Sequence, residues 1–469
     1  MTYLGNKGYT IPKDCLDISE QVFIRKTLLV KPYIPKSPVQ PKGFPVYRES
    51  NNKLYIPRYF GNTHYGLPEN VKLTNNVNHE LEFKGELRDY QKHIVKTYLS
   101  HTNDENGGGG LLEIPCGRGK TIIALNIISK LKTRTLVVVH KSFLLNQWIE
   151  RIEQFLPEAK IGRIQGNIID IEGKDIVIGM LQSLSMKEYP ENMFETIGLT
   201  IVDECHHISS DVFSRSLLKI VTKYTLGLSA TMQRKDGLTH VFKMFLGEIV
   251  YSEEREKDDN VLVKGIEYKV DDKEFNEIIL DYKGKPMYSS MITKICNYNR
   301  RNDFIIQVII QELKEKEDQQ IMILSQNKSI LTYLFESINH KDIAKVGYYV
   351  GGMKEVELKK SEECKIILAT YSMAAEALDI KTLTTLILST PRTDITQAVG
   401  RILRVKHERP MVVDIIDTHD VFKNQWKKRK TFYRKNNYTL KETNSKDYLN
   451  NIWKTKEDKK VKKCLFDVS

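Results

Sequence analysis

The sequence predicts an α/β protein made of two tandem parallel-sheet lobes, with a small N-terminal region and a basic C-terminal tail. From about residue 87 onward, short continuous apolar runs alternate with helix-like segments, and this alternation pauses at 252–260 before it resumes. Unbroken apolar strands between helices are typical of parallel sheets that helices cover on both faces. We therefore predict four regions, which are residues 1–86, 87–255, 256–420 and 421–469.

The two terminal regions are less informative than the predicted lobes. Residues 1–86 contain many prolines and short β-like stretches, which predict an irregular or β-rich region whose function the sequence does not reveal. The tail interleaves lysines with aromatic residues. It either contacts nucleic acid or forms a solvated helix face, and both interpretations stay open. Its aromatic residues are Trp426, Phe432, Tyr433 and Tyr438.

Composition limits the class of protein. The 469 residues carry a net charge of +12, because 72 lysines and arginines outnumber 60 aspartates and glutamates. A basic surface suits a polyanionic partner, although a lysine-rich soluble protein would show the same balance. The six cysteines are scattered without a C-x-x-C pair, which argues for a reducing compartment and against a zinc module. With no signal-like N-terminus or membrane-length apolar run, we expect a soluble, intracellular protein without membrane contacts.

A phosphate-binding loop is predicted at IPCGRGKT, residues 114–121, between a strand and a helix. Glycines allow the loop to bend sharply, so that backbone N–H groups at the start of the helix face the phosphates. Lys120 would neutralise the β- and γ-phosphates of ATP, and Thr121 would ligate Mg²⁺. A chance Gly-Lys-Thr turn is the alternative, because Ile114 stands where the strict pattern has glycine. The predicted ATP-binding residues here are Pro115, Cys116, Gly117, Arg118, Gly119, Lys120 and Thr121.

Two adjacent carboxylates follow the apolar strand LTIV. In the segment VDECHH, Asp203 is predicted to hold Mg²⁺ and Glu204 to polarise the attacking water. A metal site formed by Cys205 and the two histidines is the alternative, but no second pair of ligands has the required spacing. We predict instead that His206 senses the γ-phosphate.

With DECH at 203–206 and SAT at 229–231, the sequence resembles the DExH-box branch of the superfamily 2 helicases. Further family motifs follow in order over residues 87–417. The resemblance implies two RecA-like lobes that hydrolyse ATP at a shared cleft and move along nucleic acid. The further family motifs are LRDYQ (87–91), VHKSFLLNQW (139–148), GMLQSL (179–184), ILSQN (323–327), ATYSMAAEALDI (369–380) and QAVGRILR (397–404).

Within the superfamily, DECHH followed by SATMQRKDGL is similar to the XPB/Rad25-like helicases and their relatives in large DNA viruses, including the poxvirus transcript-release helicase. Residues 234–236 read Arg-Lys-Asp where the XPB group has Arg-Glu-Asp, so a base replaces the central acid. Ala377 follows Glu376 where the family usually has glycine. The viral branch is therefore the better match.

The resemblance also implies roles for individual residues. Arg88 and Gln91 would contact adenine, and Gln397 would orient the attacking water. Arg401 and Arg404 would reach ATP from the second lobe, with Arg404 favoured as the arginine finger. The nucleic-acid motifs are expected at the end of each sheet opposite the phosphate loop. Coupling and nucleic-acid contacts are assigned to Gln147, Ser183, Ser229, Thr231, Asn327, Thr370 and Asp379.

The function implied is an ATP- and Mg²⁺-dependent helicase, on DNA rather than RNA and with 3′ to 5′ polarity. Viral transcription machinery is a further implied partner, and the location is the host cytoplasm or the virion if the chain is viral. The alternatives are a translocase that releases transcripts without separating strands, an RNA helicase, and a clamp that binds ATP without hydrolysis. The sequence does not predict the oligomeric state.

Overall fold

A computed structural model of the chain forms two compact units, Met1–Glu254 and Arg255–Ser469. No helix among the described residues is both long and apolar enough to cross a bilayer. The residues described are 1–33, 40–73, 78–102, 106–115, 117–205, 210–232, 237–253, 260–376, 380–402, 407 and 409–453, without the side chains of 210, 375, 376 and 401.

The N-terminal part of the first unit is a small five-stranded sheet with two helices. Its strand order is β5-β6-β2-β1-β7, and only the β1–β7 pair is parallel. Asp17 caps the first helix by accepting a hydrogen bond from the backbone N–H of Glu20. The elements are β1 (Tyr3–Gly5), β2 (Gly8–Pro12), α1 (Ile18–Thr27), β3 (Leu29–Val30), β4 (Phe44–Pro45), β5 (Arg48–Glu49), β6 (Lys53–Ile56), α2 (Arg58–Tyr65) and β7 (Asn70–Val71).

This N-terminal sheet packs on the first lobe. Tyr9 and Ile56 belong to the same buried core cluster as Phe245 of the lobe. The buried guanidinium of Arg58 donates hydrogen bonds to the backbone carbonyls of Asn106 and Lys223, both at 2.8 Å. The sheet is therefore attached by apolar packing and by a buried arginine.

The first lobe is an eight-stranded sheet of order β11-β10-β12-β9-β13-β14-β8-β15, parallel throughout except for β11. Its elements are α3 (Asp89–His101), β8 (Gly109–Glu113), α4 (Lys120–Leu131), β9 (Thr135–Val139), α5 (Ser142–Phe155), β10 (Ile161–Gln165), β11 (Ile168–Asp170), β12 (Ile176–Met180), α6 (Leu181–Met186), β13 (Leu199–Asp203), α7 (Ser210–Leu217), β14 (Tyr224–Ser229), α8 (Thr239–Leu246) and β15 (Ile249–Ser252).

The second lobe is a seven-stranded, fully parallel sheet of order β18-β19-β17-β20-β21-β16-β22. Its elements are β16 (Leu262–Tyr268), α9 (Lys273–Asn276), α10 (Tyr288–Asn297), α11 (Asn299–Glu315), β17 (Gln320–Ser325), α12 (Lys328–His340), β18 (Val346–Tyr349), α13 (Glu355–Glu362), β19 (Ile366–Thr370), α14 (Tyr371–Glu376), β20 (Leu383–Leu388), α15 (Thr396–Ile402), β21 (Met411–Asp417), α16 (Asp420–Lys435), β22 (Thr439–Asn444) and α17 (Ser445–Leu449).

Both large sheets are buried on two faces, as unbroken apolar strands require. In β9, Leu136 and Val138 belong to one core cluster, whereas Val137 and Val139 belong to another. Because successive side chains of a strand point to opposite faces, these clusters are the two helix-covered layers. The same alternation in β17 divides its residues between two clusters in the second lobe.

Residues 421–453, the described part of the predicted basic tail, are folded onto the second lobe. Strand β22 pairs in parallel with β16 at the edge of the sheet. In α16, the side chains of Arg429 and Tyr433 are buried, and Trp426 contacts Gly265 of β16 closely enough that a Cβ at Gly265 would lie 3.0 Å from its ring. All four aromatic residues named above therefore pack in or beside the core, namely Trp426, Phe432, Tyr433 and Tyr438.

Two buried arginine–aspartate pairs hold strand β21 to its neighbours. Arg301 of α11 pairs with Asp417 at 2.6 Å, and both side chains are fully buried. Arg429 of α16 pairs with Asp414 at 2.8 Å. Burying a charge is costly unless a partner compensates it, so removal of one member leaves an uncompensated charge inside the lobe.

We predict that Arg301→Met lowers the free energy of unfolding of the second lobe by about 3–5 kcal/mol, because it leaves Asp417 buried without its partner. Urea denaturation followed by tryptophan fluorescence in a Trp148→Phe background measures this lobe, since the other two tryptophans are Trp426 and Trp453. The matched control is Arg300→Met, because Arg300 is 73% exposed in its ion pair and its loss should cost less than about 1 kcal/mol. Equal losses in the two variants would contradict the prediction.

Candidate functional site

The loop between β8 and α4 has the geometry of a phosphate cradle. Gly117 and Gly119 adopt φ values of 85° and 80°, which favour glycine. A Cβ on Gly119 would lie 2.5 Å from the side-chain nitrogen of Gln91, so a larger residue there would displace that amide group. The 12-residue helix α4 begins at Lys120, and its first N–H groups and dipole favour an anion in the loop. The loop therefore fits the phosphates of a nucleotide.

Lys120 faces the carboxylate of Glu204. The Lys120 Nζ lies 3.3 Å from Glu204 Oε1, and both side chains are mostly buried. Glu204 has a φ of 48°, a left-handed conformation that is uncommon for a non-glycine residue and is often found at functional sites. The structure thus brings together the predicted phosphate-binding lysine and the predicted catalytic carboxylate.

Asp203 ends strand β13 and is held by two donors. The indole N–H of Trp148 donates to Asp203 Oδ2 at 2.9 Å, and the backbone N–H of Glu204 donates to Oδ1 at 2.9 Å. Burial and the adjacent Glu204 charge raise the pKa of Asp203 to about 6, while the Trp148 bond and the Lys120 charge act in the opposite direction. A buried carboxylate at the end of a strand could hold a cation such as Mg²⁺.

Trp148 is a site residue whose role the sequence analysis missed. It lies in the segment VHKSFLLNQW, but its position on the apolar face of α5 indicates only core packing. Its side chain is 1% exposed, so the packing interpretation holds as well. The hydrogen bond to Asp203 joins α5 to the carboxyl end of β13.

Gln91 is tied to the phosphate loop. Its Oε1 accepts a hydrogen bond from the backbone N–H of Arg88 at 3.0 Å, and its Nε2 donates to the backbone carbonyl of Arg118 at 3.1 Å. The Arg118 guanidinium lies 4.0 Å from the Tyr90 ring centroid and pairs with Glu253. Gln91 thus braces the loop beside the place where the sequence analysis expects adenine.

The segment SAT lies directly beside the phosphate loop. The Ser229 hydroxyl oxygen accepts a hydrogen bond from the Thr231 N–H at 3.2 Å, and the Ser229 carbonyl accepts one from the Ile114 N–H at 2.8 Å. Glu113, which the sequence analysis did not single out, accepts the N–H of Met232 at 2.8 Å. Residues 229–232 and the phosphate loop therefore form one hydrogen-bonded network.

The expectation that the nucleic-acid motifs lie at the opposite end of each sheet is wrong. Segments 139–148 and 179–184 follow the carboxyl ends of β9 and β12, which are parallel to β8, so they share the edge with the phosphate loop. Gln147 and Ser183 lie within the helices α5 and α6 rather than in loops. In a parallel sheet, every connection that leaves the carboxyl end of a strand starts at the same edge of the sheet.

The second lobe repeats this arrangement. Asn327 follows β17 and caps α12, with its Oδ1 accepting the Ser329 N–H at 2.9 Å. Thr370 ends β19, and its hydroxyl lies 3.3 Å from that of Ser372. Gln397 lies in α15, as does Arg401. Four other named positions lie outside the described residues, namely Cys116, His206, Asp379 and Arg404, together with residues 234–236 and Ala377.

Side chains from several elements anchor the segment that precedes α15. Its four successive backbone carbonyls, residues 389–392, each accept a hydrogen bond from a side chain. This anchoring fixes where α15 begins, and hence the position of Gln397. The bonds are Arg301 to Ser389 O at 2.7 Å, Tyr371 to Thr390 O at 2.8 Å, Tyr288 to Pro391 O at 3.2 Å and Arg429 to Arg392 O at 2.7 Å.

Comparison with protein families gives two matches. The family described as "Type III restriction enzyme, res subunit" matches residues 84–234, and the family "Helicase conserved C-terminal domain" matches residues 303–406. Among solved structures, Saccharomyces cerevisiae Dbp5 bound to RNA and ADP BeF3 is similar with a TM-score of 0.53. That similarity covers 79% of this chain and 92% of Dbp5 at 12% identity, so it supports the fold alone. The predicted fold class, two RecA-like lobes, is confirmed.

Curated relatives include several viral proteins. A protein of Acanthamoeba polyphaga mimivirus, provisionally named an ATP-dependent RNA helicase, is 37% identical over 484 residues, which span this whole chain and 92% of the relative. An African swine fever virus protein with the same provisional name is 28% identical over 353 residues, covering 70% of this chain and 69% of that protein. The DNA 3′-5′ translocase XPB2 of Sulfurisphaera tokodaii is 34% identical over 192 residues, covering 40% of this chain and 41% of XPB2. With matches in both lobes and a relative of nearly equal length, the chain belongs to the superfamily 2 ATP-dependent helicases.

Proposed function

We propose that this helicase couples ATP hydrolysis to 3′ to 5′ movement along a strand of DNA, as a member of the XPB-like DExH branch. The observation that carries the motor assignment is the contact of Lys120 with Glu204 beside a loop shaped for phosphates. The DNA track and the polarity are supported by the name of the archaeal relative, a DNA 3′-5′ translocase. The names of the mimivirus and African swine fever virus relatives support RNA as the second candidate track.

In this proposal ATP replaces Glu204 as the partner of Lys120. The γ-phosphate draws the ammonium group of Lys120 toward itself, and the Glu204 carboxylate is released to orient a water and accept its proton. Thr121 and Asp203 would hold Mg²⁺, which supplies positive charge to the phosphate oxygens. Gln91 and Arg88 would contact the adenine ring, and His206 would sense the γ-phosphate.

In the proposed reaction, the second lobe supplies positive charge to the negatively charged phosphates of ATP. Arg401 and Arg404 would stabilise the transferring phosphoryl group, with Arg404 as the finger and Gln397 orienting the water. An arginine finger contributes about 10³–10⁵ in rate in other nucleotide hydrolases. ATP binding would close the lobes and hydrolysis would release them.

The proposed strand contacts come from residues at the carboxyl edges of both sheets. Gln147 in α5, Ser183 in α6, Asn327 at the start of α12 and Thr370 at the end of β19 are polar and would bond phosphates without reading bases. Asp379, with Ser229 and Thr231 of the network beside the phosphate loop, would transmit the state of the nucleotide. Viral transcription complexes, in the host cytoplasm or the virion, are the proposed setting.

The DNA proposal predicts that single-stranded DNA stimulates ATP hydrolysis more strongly than RNA of the same sequence. ATPase rates with single-stranded DNA, duplex DNA and RNA, measured at several salt concentrations, test this, because phosphate contacts make binding salt-dependent. Strand-displacement and streptavidin-displacement assays on the same substrates separate unwinding from translocation. Stronger stimulation by RNA would reassign the track, and hydrolysis that no nucleic acid stimulates would overturn the motor proposal.

A second prediction concerns pH and Trp148. Binding of Mg²⁺ requires the charged form of Asp203, so the apparent affinity for Mg²⁺ in the presence of a non-hydrolysable ATP analogue should fall as the pH decreases through about 6. Trp148→Phe removes a hydrogen bond to the charged carboxylate, which raises the pKa further, and the midpoint should move to higher pH.

The matched control for this prediction is Tyr98→Phe. It removes another buried aromatic hydrogen bond of the first lobe, from the Tyr98 hydroxyl to the carbonyl of Thr225 at 2.8 Å. Its midpoint should equal that of the unmodified chain. A midpoint that Trp148→Phe leaves unchanged would show that the indole does not influence the ionisation of Asp203.

A further inference from the structure

The outer face of the N-terminal sheet combines tyrosines with cationic side chains. Directly opposed residues of neighbouring strands point to the same face of a sheet. The inner face carries Leu4, Tyr9 and Ile56, which are buried. On the outer face, the residues that lie opposite one another on successive strands, from one edge of the sheet to the other, are Arg48, Tyr55, Thr10, Tyr3 and Asn70.

Cationic side chains lie near both rings, with the Lys7 Nζ 5.8 Å from the centroid of Tyr55. The Lys72 Nζ lies 4.2 Å and the Lys53 Nζ 5.4 Å from the centroid of Tyr3. The Lys53 Nζ also donates a hydrogen bond to the Tyr3 hydroxyl at 3.2 Å. We name this surface the tyrosine face, and its residues are Tyr3, Lys7, Arg48, Lys53, Tyr55 and Lys72.

The charge of the tyrosine face is largely uncompensated. Within the described part of the chain, Arg48, Lys53 and Lys72 form no ion pair, and only Lys7 does, with Glu191 at 2.8 Å. Aspartate and glutamate are absent from the outward positions of the five described strands. The three cations Arg48, Lys53 and Lys72 therefore favour a polyanion, whereas the charge of Lys7 is compensated by Glu191.

The tyrosine face is adjacent to the first lobe's proposed strand contacts. Lys7 and Asn6 bond Glu191 and Glu195, in the segment that follows helix α6. Ser183, a proposed phosphate contact, lies in α6. The tyrosine face and helix α6 are therefore linked through the segment that contains Glu191 and Glu195, within the same unit.

We infer that the tyrosine face binds a single strand of nucleic acid, with bases against Tyr3 and Tyr55 and phosphates at Arg48, Lys53 and Lys72. Sheet faces with aromatic rings among cations bind single strands in this way, because every base offers a flat face and every linkage a negative charge. This site goes beyond the proposed motor, since it lies outside both lobes and needs no ATP.

Fluorescence anisotropy with labelled oligo(dT) and oligo(U) of about 16 nucleotides tests the inference without ATP. Arg48→Glu with Lys72→Glu should weaken binding about ten-fold or more and reduce the slope of log affinity against log salt by about 1.4, for two lost phosphate contacts. The matched control is Lys26→Glu with Lys42→Glu, which changes the net charge equally at exposed positions of the same region. The basal rate of ATP hydrolysis should stay unchanged in both double variants, which would show that both variants fold.

Substitution of one ring separates stacking from charge. Tyr55→Leu should weaken binding about five-fold or more, whereas Tyr55→Phe should restore it because the ring is kept. Crosslinking of the unmodified chain to iodouracil-containing oligonucleotides should label Tyr3 or Tyr55.

Four results would overturn the inference. The first two are equal oligonucleotide affinity in the two charge-reversed pairs, and equal affinity in Tyr55→Leu and Tyr55→Phe. The third is crosslinking confined to the lobes. The fourth is binding of an acidic protein, instead of either oligonucleotide, to the tyrosine face. If the tyrosine face does not bind nucleic acid but the proposed lobe contacts do, nucleic acid should still stimulate ATP hydrolysis. Failure of this inference is therefore distinguishable from failure of the motor proposal.

Discussion

The contact between Lys120 and Glu204 is the interaction on which the rest of the site depends. It exists because β8 and β13 are parallel and separated only by β14, so that a helix start and a strand end meet at one edge of the sheet. Glu204 makes this contact from a left-handed backbone conformation, with a φ of 48°. A lysine paired with a carboxylate in this way is ready to exchange that partner for phosphate.

Neighbouring elements hold the groups around this contact in place. Trp148 orients Asp203 from α5, Gln91 braces the phosphate loop from α3, and Glu113 ties that loop to residues after β14. In the second lobe, four side chains fix the carbonyls that precede α15. Because each polar group is bonded from a separate element, the geometry of the site follows from the packing of the sheets.

Sequence reasoning predicted the two lobes because apolar strand runs and glycine-rich turns are local signals. It assigned Lys120 and Glu204 to one ATP site, but their direct contact is visible only in the structure. It did not predict the role of Trp148, because an indole on an apolar helix face looks the same whether or not its N–H has a partner. It placed the nucleic-acid motifs at the wrong edge of the sheets. It also did not predict that residues near 440 form a strand, because pairing at a sheet edge depends on distant residues such as those of β16.

One measurement tests the central claim most directly: nucleotide affinity and turnover in Glu204→Gln. The account predicts that turnover falls at least about 100-fold, while affinity for a non-hydrolysable ATP analogue rises about two- to five-fold because Lys120 no longer has a competing carboxylate. Lys130→Ala, at the exposed end of α4, should change neither quantity. Weaker nucleotide binding in Glu204→Gln, or normal turnover, would contradict the exchange of Glu204 for phosphate.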